Sequence, residues 1–328
     1  MADNPKHPVV VALAGTTISA PDIQPLKNIF TDYFDWEVIS EGQISPIEES
    51  VWGIKPGSAG TKFCVVRAPD ATRGMVRIVQ GRTRERRRPV AARWAGVEII
   101  VSRDIDGLYE RMKPCKDFKA FRDPITMDWS DFGSNQHRAF LGIAPGGTHL
   151  ALTMGLTQPK GRAFPKAQAW VGHVFDVPLM TSRFERSARF YRDVVGMTPI
   201  LTSQFNNNKF SWHDLFNLPH SADVALDIIK GDAPDTGLGG IEMQGYDESL
   251  IDTDQAVPDL FDGGACMLTY TTKNIDEAFA AISASPLAQI LSKPQALKSA
   301  PYNGTKSFIF LGPDQERFEI CEELWSAR

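Results

Sequence analysis

Gly172 to Met197 reads GHVFDVPLMTSRFERSARFYRDVVGM and joins three local patterns in one stretch. An apolar run suited to a buried strand comes first, then a turn. A helix follows, with Phe184, Ala188, Tyr191 and Val195 recurring at helical spacing. Gly196 stands just past the last of them, where a helix C-cap is expected. His173 lies inside the strand and raises a question of chemistry. A lone histidine there either packs as an ordinary core residue or points into a cavity and holds a metal.

Outward from this stretch, PILTSQF, DVALDIIKG and GGIEMQGY read as three further strands, so the unit is strand, helix, then several strands. The unit recurs four times. The last copy starts at ACMLTYTTKN, and its helix IDEAFAAISAS has Asn274 as N-cap and Ile275, Phe279 and Ile282 on one face. QILSKPQAL, KSFIFLG and RFEICEEL supply its strands. In the first half, VVVALAGTTISA and WAGVEIIVS open two more copies, with helices around IQPLKNIFTDYF and IDGLYERMKP. TQPKGRAFPKAQ, residues 157–168, is rich in Pro, Gly and Lys and reads as a linker. The expectation is an α+β chain of four βαβββ modules in two domains, 1–156 and 169–328, each two consecutive modules long.

Composition narrows the function classes. Lys and Arg total 35 against 40 Asp and Glu, a formal net charge of -5, which argues against nucleic-acid binding. The basic run GRTRERRRP, Gly81 to Pro89, reads as a solvated hairpin or linker, with an anion site as the sharper alternative. The cysteines, at 64, 115, 266 and 321, form no C-x-x-C pair, and three sit in strand-like surroundings; they read as core residues in a reducing compartment. No apolar run is long enough to span a bilayer, and the N-terminus lacks a basic secretory start, so the expectation is a cytoplasmic protein without membrane partners.

Four such modules, GHV…RFYRDVVGM and the Gly-Pro-Asp turn of FLGPDQERFEI together resemble the vicinal oxygen chelate superfamily, which includes glyoxalase I, bleomycin-resistance proteins and extradiol dioxygenases. The resemblance spans nearly the whole chain. It implies paired modules forming cup-shaped mixed sheets, with metal ligands projecting inward from the first and last strands of each module. Matched by position, it implies His173, Glu242 and Glu319 as ligands, with Met267 where relatives carry a histidine. Thr16, Val97 and Ala151 fall in the corresponding places of the first half, which is therefore expected to keep the fold without the metal.

The activity so implied is that of a lyase, isomerase or epimerase on a small oxygenated molecule. One divalent ion (Zn, Fe, Mn, Co or Ni) would stabilise an enediolate, while Glu242 and Glu319 divide the roles of ligand and base. Glu319 lies between Phe318 and Ile320, so it faces opposite to both, and a buried inward carboxylate calls for a ligand or an ion pair. Met267, Trp212, His213, Phe205 and Tyr302 are candidate pocket residues, and His220 is a loop histidine beside them. Two alternatives stand: a metal-free protein binding a hydrophobic small molecule, and a diverged ring-cleavage dioxygenase. The second needs a histidine at Met267 and a tyrosine where Phe308-Ile309-Phe310 stands. A monomer or a homodimer fits four modules.

Overall fold

The computed structural model describes residues 9–69, 71–84, 88, 90–132, 135–158, 165–207, 209–232, 239–252, 259–299 and 301–322. Four modules follow one another, each opening on a strand that feeds a short helix. The first has β1 (Leu13–Ala20), α1 (Ile23–Asn28), β2 (Glu37–Gln43), α2 (Pro46–Val51), β3 (Lys62–Arg67) and β4 (Met75–Gln80). The second has β5 (Gly96–Val101), α3 (Ile105–Met112), β6 (Gln136–Ala144) and β7 (Thr148–Gly155). The third has β8 (Val171–Thr181), α4 (Phe184–Arg189), β9 (Thr198–Phe205), α5 (Trp212–Phe216), β10 (Val224–Lys230) and β11 (Gly240–Gly245). The fourth has β12 (Gly264–Thr272), α6 (Ile275–Ser283), β13 (Lys306–Leu311) and β14 (Arg317–Glu322). Local signals set the helix ends. The Asn274 side chain accepts from the amides of Asp276 and Glu277, and Gly196 turns at φ 76° after the last turn that follows α4.

The modules do not pair in sequence order. One mixed sheet runs β13-β14-β12-β1-β4-β3-β2, so the first module shares it with the fourth. The other runs β9-β10-β11-β8-β5-β7-β6 and joins the second to the third. The expected division into 1–156 and 169–328 is therefore corrected at the level of the sheets. The physical reason is that pairing takes place between opening strands: β1 lies antiparallel to β12, with Thr17 opposite Met267, and β5 antiparallel to β8, with Glu98 opposite Asp176. All four opening strands have similar apolar patterns, so local sequence does not choose among partners.

The connector after β4 is also not simply a solvated hairpin. Arg84 is buried and donates to the carbonyls of Trp94 (3.0 Å) and Ala92 (2.8 Å). Trp94 Nε1 donates to Arg317 O at 2.8 Å and Arg93 Nε to Asp314 O at 2.9 Å, tying the connector to the last module. Arg82 keeps an exposed side chain; residues 85–87 and 89 of the basic run lie outside the described residues. The four helices that follow the opening strands pack on one continuous core with residues of both sheets. The two sheets meet at Gly74 (φ 64°), whose carbonyl accepts from Val174 N at 3.1 Å; a Cβ there would stand 2.3 Å from Val174 O. All four cysteines are free and buried, as read from the sequence. Among the described residues no helix is long and apolar enough to cross a membrane.

Candidate functional site

The opposite faces of the two sheets form two cups, and they differ in what fills them. In the cup of the first and fourth modules, α2 and the turn before β13 press Trp52 and Tyr302 inward against Met75, Met267 and Ile309. The space left among Thr17, Arg77 and Thr269 is only about 10 Å³. In the cup of the second and third modules a cavity of about 100 Å³ remains, walled by Trp129, Phe175, Trp212, Leu226 and their neighbours. One water needs roughly 10–15 Å³ of such space, so the first cup is closed and the second has room for a small molecule.

At the base of the open cup stand Glu98 on β5, Asp176 on β8 and Glu242 on β11. One oxygen from each lies within 4.8 Å of the others. Strand alternation places them: Val97, Ile99 and Val101 enter the common core, turning Glu98 to the cup. Register then brings Asp176 opposite Glu98, while Glu242 follows on the parallel neighbour of β8. Thr153 Oγ1 on β7 donates to Glu98 Oε1, Gln244 Nε2 donates to Glu242 Oε1, and Val177 N donates to Asp176 Oδ1 at 2.9 Å.

Burial dominates the electrostatics. It pushes the Glu98 carboxyl up to about 7, with the Thr153 hydroxyl opposing the change. Burial, and then repulsion from Glu98, raise Asp176 well above the ordinary carboxylate range. Glu242 is raised the same way by burial, Glu98 and Asp176. On the wall, His137 lies nearly parallel to Trp129 (ring planes 5° apart), and burial pulls its imidazole down to about 4, leaving it neutral at physiological pH.

The expected site residues divide between the two cups. Glu242 is in the carboxylate cluster and Trp212 lines the cavity. His173 is not in the cluster: it lies three residues before Asp176, beside Gly74 of the other sheet. Register breaks on β8 between Val171 and Asp176 shift which residue faces the cup. Glu319 lies in the closed cup, where it accepts from Thr269 Oγ1, Tyr302 OH and Ser307 Oγ at 2.7 Å each, with the Arg77 guanidinium at 3.7 Å. Arg77 is also held by Thr17 and Tyr302 and stacks over Trp52. Glu319 thus has an internal cation as its ion pair and three hydrogen-bond donors. Met267 and Tyr302 belong to the same filled cup. Phe205 packs behind the cavity wall against Trp129 and Trp212. His213 is buried with Nε2 at 2.7 Å from Ala222 O, closing its own loop, and exposed His220 pairs with Asp214. Glu98, from the half expected to lack a metal, is the member that alignment at Val97 missed by one residue.

No protein-family model matches the chain, and no curated protein matches it. Among solved structures, glyoxalase I from Zea mays is similar over 96% of this chain and 93% of its own, at 14% identity and a TM-score of 0.60. A mutant of the same maize enzyme gives 15% identity, the same 96%, 94% of its own chain and a TM-score of 0.61. A Bacillus subtilis protein described as a candidate dioxygenase is similar over 96% of this chain and 86% of its own, at 9% identity and a TM-score of 0.58. The class is a two-cup protein of four paired βαβββ modules. Its fold is similar to that of maize glyoxalase I.

Proposed function

We propose that the protein is a metal-dependent lyase, isomerase or epimerase whose single centre is the Glu98–Asp176–Glu242 cup. The observation that carries this reading is the convergence of three carboxylates on one point, Asp176 and Glu242 buried and Glu98 half-buried, with desolvation raising all three and repulsion from their neighbours raising Asp176 and Glu242 further. Three like charges in one dry site cannot stay ionised together, and a divalent cation relieves all three at once. An all-oxygen donor set suits Mn²⁺ or Mg²⁺ ahead of Zn²⁺, Fe²⁺, Co²⁺ or Ni²⁺. When bound, the cation would supply Lewis-acid polarisation of the substrate oxygens.

The chain's own residues supply the rest. Asp176 and Glu242 would anchor the ion, with Glu98 completing the set. The Glu98 oxygen that is not on the ion would take a proton from carbon beside a carbonyl and return it. Thr153 fixes the orientation of that carboxyl. Trp129, Phe175, Trp212 and Leu226 would receive an apolar substrate body and keep water from the base of the cup. The same walls favour a second reading, a metal-free binder for an apolar molecule, in which the acids stay protonated. Calorimetry with Mn²⁺, followed by proton–deuterium exchange of α-hydroxy carbonyl compounds in D₂O, separates the two. Saturable Mn²⁺ binding and metal-dependent exchange, both lost in Asp176→Asn, support the enzyme; ligand binding with neither supports the binder.

A further inference from the structure

Glu242 stands at the end of a hydrogen-bonded row that begins on the cavity wall. Trp212, the first residue of α5, lines the cavity and donates Nε1–H to the Tyr246 hydroxyl at 3.1 Å. Tyr246 donates its own hydrogen to Gln244 Oε1 at 2.5 Å, and Gln244 Nε2 donates to Glu242 Oε1. All four side chains are buried.

The direction of every bond is set from the far end. An indole N–H only donates, so the tyrosine oxygen must accept from it and send its hydrogen onward. Gln244 then accepts through its carbonyl oxygen, which turns the NH₂ group toward Glu242. That donation falls on Glu242 Oε1, so Oε2 is the oxygen without this donor. Burial also holds the Tyr246 hydroxyl protonated, so it remains a donor.

The element carrying Trp212 is itself under tension. Phe210 (φ 63°) and Ser211 (φ 61°) before α5, and Asn217 (φ 54°) after it, hold left-handed backbone without being glycine. Such strain persists only where packing over-determines it. Here the packing is aromatic: Trp129 stacks on Phe210 with ring centres 4.2 Å apart, and Trp212 meets Phe216 at 4.5 Å. A molecule entering the cavity meets Trp212 directly.

We propose that Trp212, Tyr246 and Gln244 are positioning residues that make Glu242 a single-oxygen ligand and couple that oxygen to occupancy of the cavity. The proposal rests on the metal reading above for its consequence, but the row can be judged without metal.

The test uses ¹⁵N-indole NMR of the full chain, with the Trp212 signal among the seven tryptophans assigned by its loss in Trp212→Phe. Without metal, Gln244→Leu should move the Trp212 indole proton upfield, because Tyr246 loses the acceptor that orders it; Gln244→Met repeats the test if the first variant does not fold. An unmoved signal in a folded variant overturns the row. On addition of Mg²⁺, the Trp212 signal of the natural protein should shift. In Tyr246→Phe, Mg²⁺ should bind about tenfold more weakly and leave the Trp212 signal in place. Equal affinity with an equal shift overturns the proposed coupling. Failure of Mg²⁺ and Mn²⁺ alike to bind even the natural protein refutes the metal reading and the ligand role of Glu242, while the metal-free measurement still decides the row.

Discussion

Replacing Glu98 with glutamine should change how stability depends on pH, in a direction fixed by the geometry. Burial pushes the Glu98 carboxyl from 4.5 up to about 7 in the folded protein. The native state therefore holds a proton that the unfolded chain releases over this interval. The associated stability is fully present below the unfolded value and is lost as pH rises through the folded one. At about 1.4 kcal/mol per pH unit, the interval corresponds to roughly 3 kcal/mol from Glu98 alone. Asp176 and Glu242, raised by the same burial, act in the same sense. Urea unfolding with a chelator present, repeated from pH 4.5 to 8, measures the effect. The natural protein should lose roughly 3 kcal/mol or more across that range, and Glu98→Gln should lose about 3 kcal/mol less. Mn²⁺ at a hundred times its dissociation constant should restore about 2.7 kcal/mol to the natural protein at pH 8. Parallel losses in the two proteins would refute the assignment of a buried, protonated Glu98.

Other consequences follow from the closed cup and the crossing of the sheets. Arg77→Met strips Glu319 of its buried cation and should destabilise the protein by about 3–5 kcal/mol in urea unfolding. The same variant should leave Mn²⁺ affinity unchanged by calorimetry, because the metal belongs to the other cup. Gly74→Ala forces a Cβ to within 2.3 Å of Val174 O in left-handed backbone, and a loss of at least about 1–3 kcal/mol is expected by thermal unfolding. Trp129→Ala removes a ring that packs on Phe205, Phe210 and Trp212, and should cost about 3–5 kcal/mol while enlarging the cavity, measurable as altered binding of apolar dyes.

The four modules were legible because their signals are local: the apolar spacing from Phe184 to Val195, the Gly196 cap and the Asn274 cap each depend on a few neighbouring residues. Module pairing was not, since β1, β5, β8 and β12 offer similar edges and only the folded chain selects among them. Glu242 was named from its match to the family position, and the structure places it in the carboxylate cluster. Asp176 was missed because the register of β8 is interrupted just before it, so counting from His173 lands on the wrong side. The inward turn of Glu319 was read correctly from Phe318 and Ile320, but sequence left open whether its partner was a metal or a cation; Arg77, more than 240 residues away, is the answer. The row from Trp212 to Glu242 alternates along β11 at 242 and 244 and ends at Tyr246, a pattern visible only once the strand's facing is known.

The central claim is that one cup holds one metal between Glu98, Asp176 and Glu242. Crystals soaked in Mn²⁺ and measured near the manganese absorption edge test it directly. The account predicts one anomalous peak per chain, surrounded by these three carboxylates, and none beside Glu319. A peak at Glu319 or His173, or no peak in either cup at saturating Mn²⁺, would contradict it.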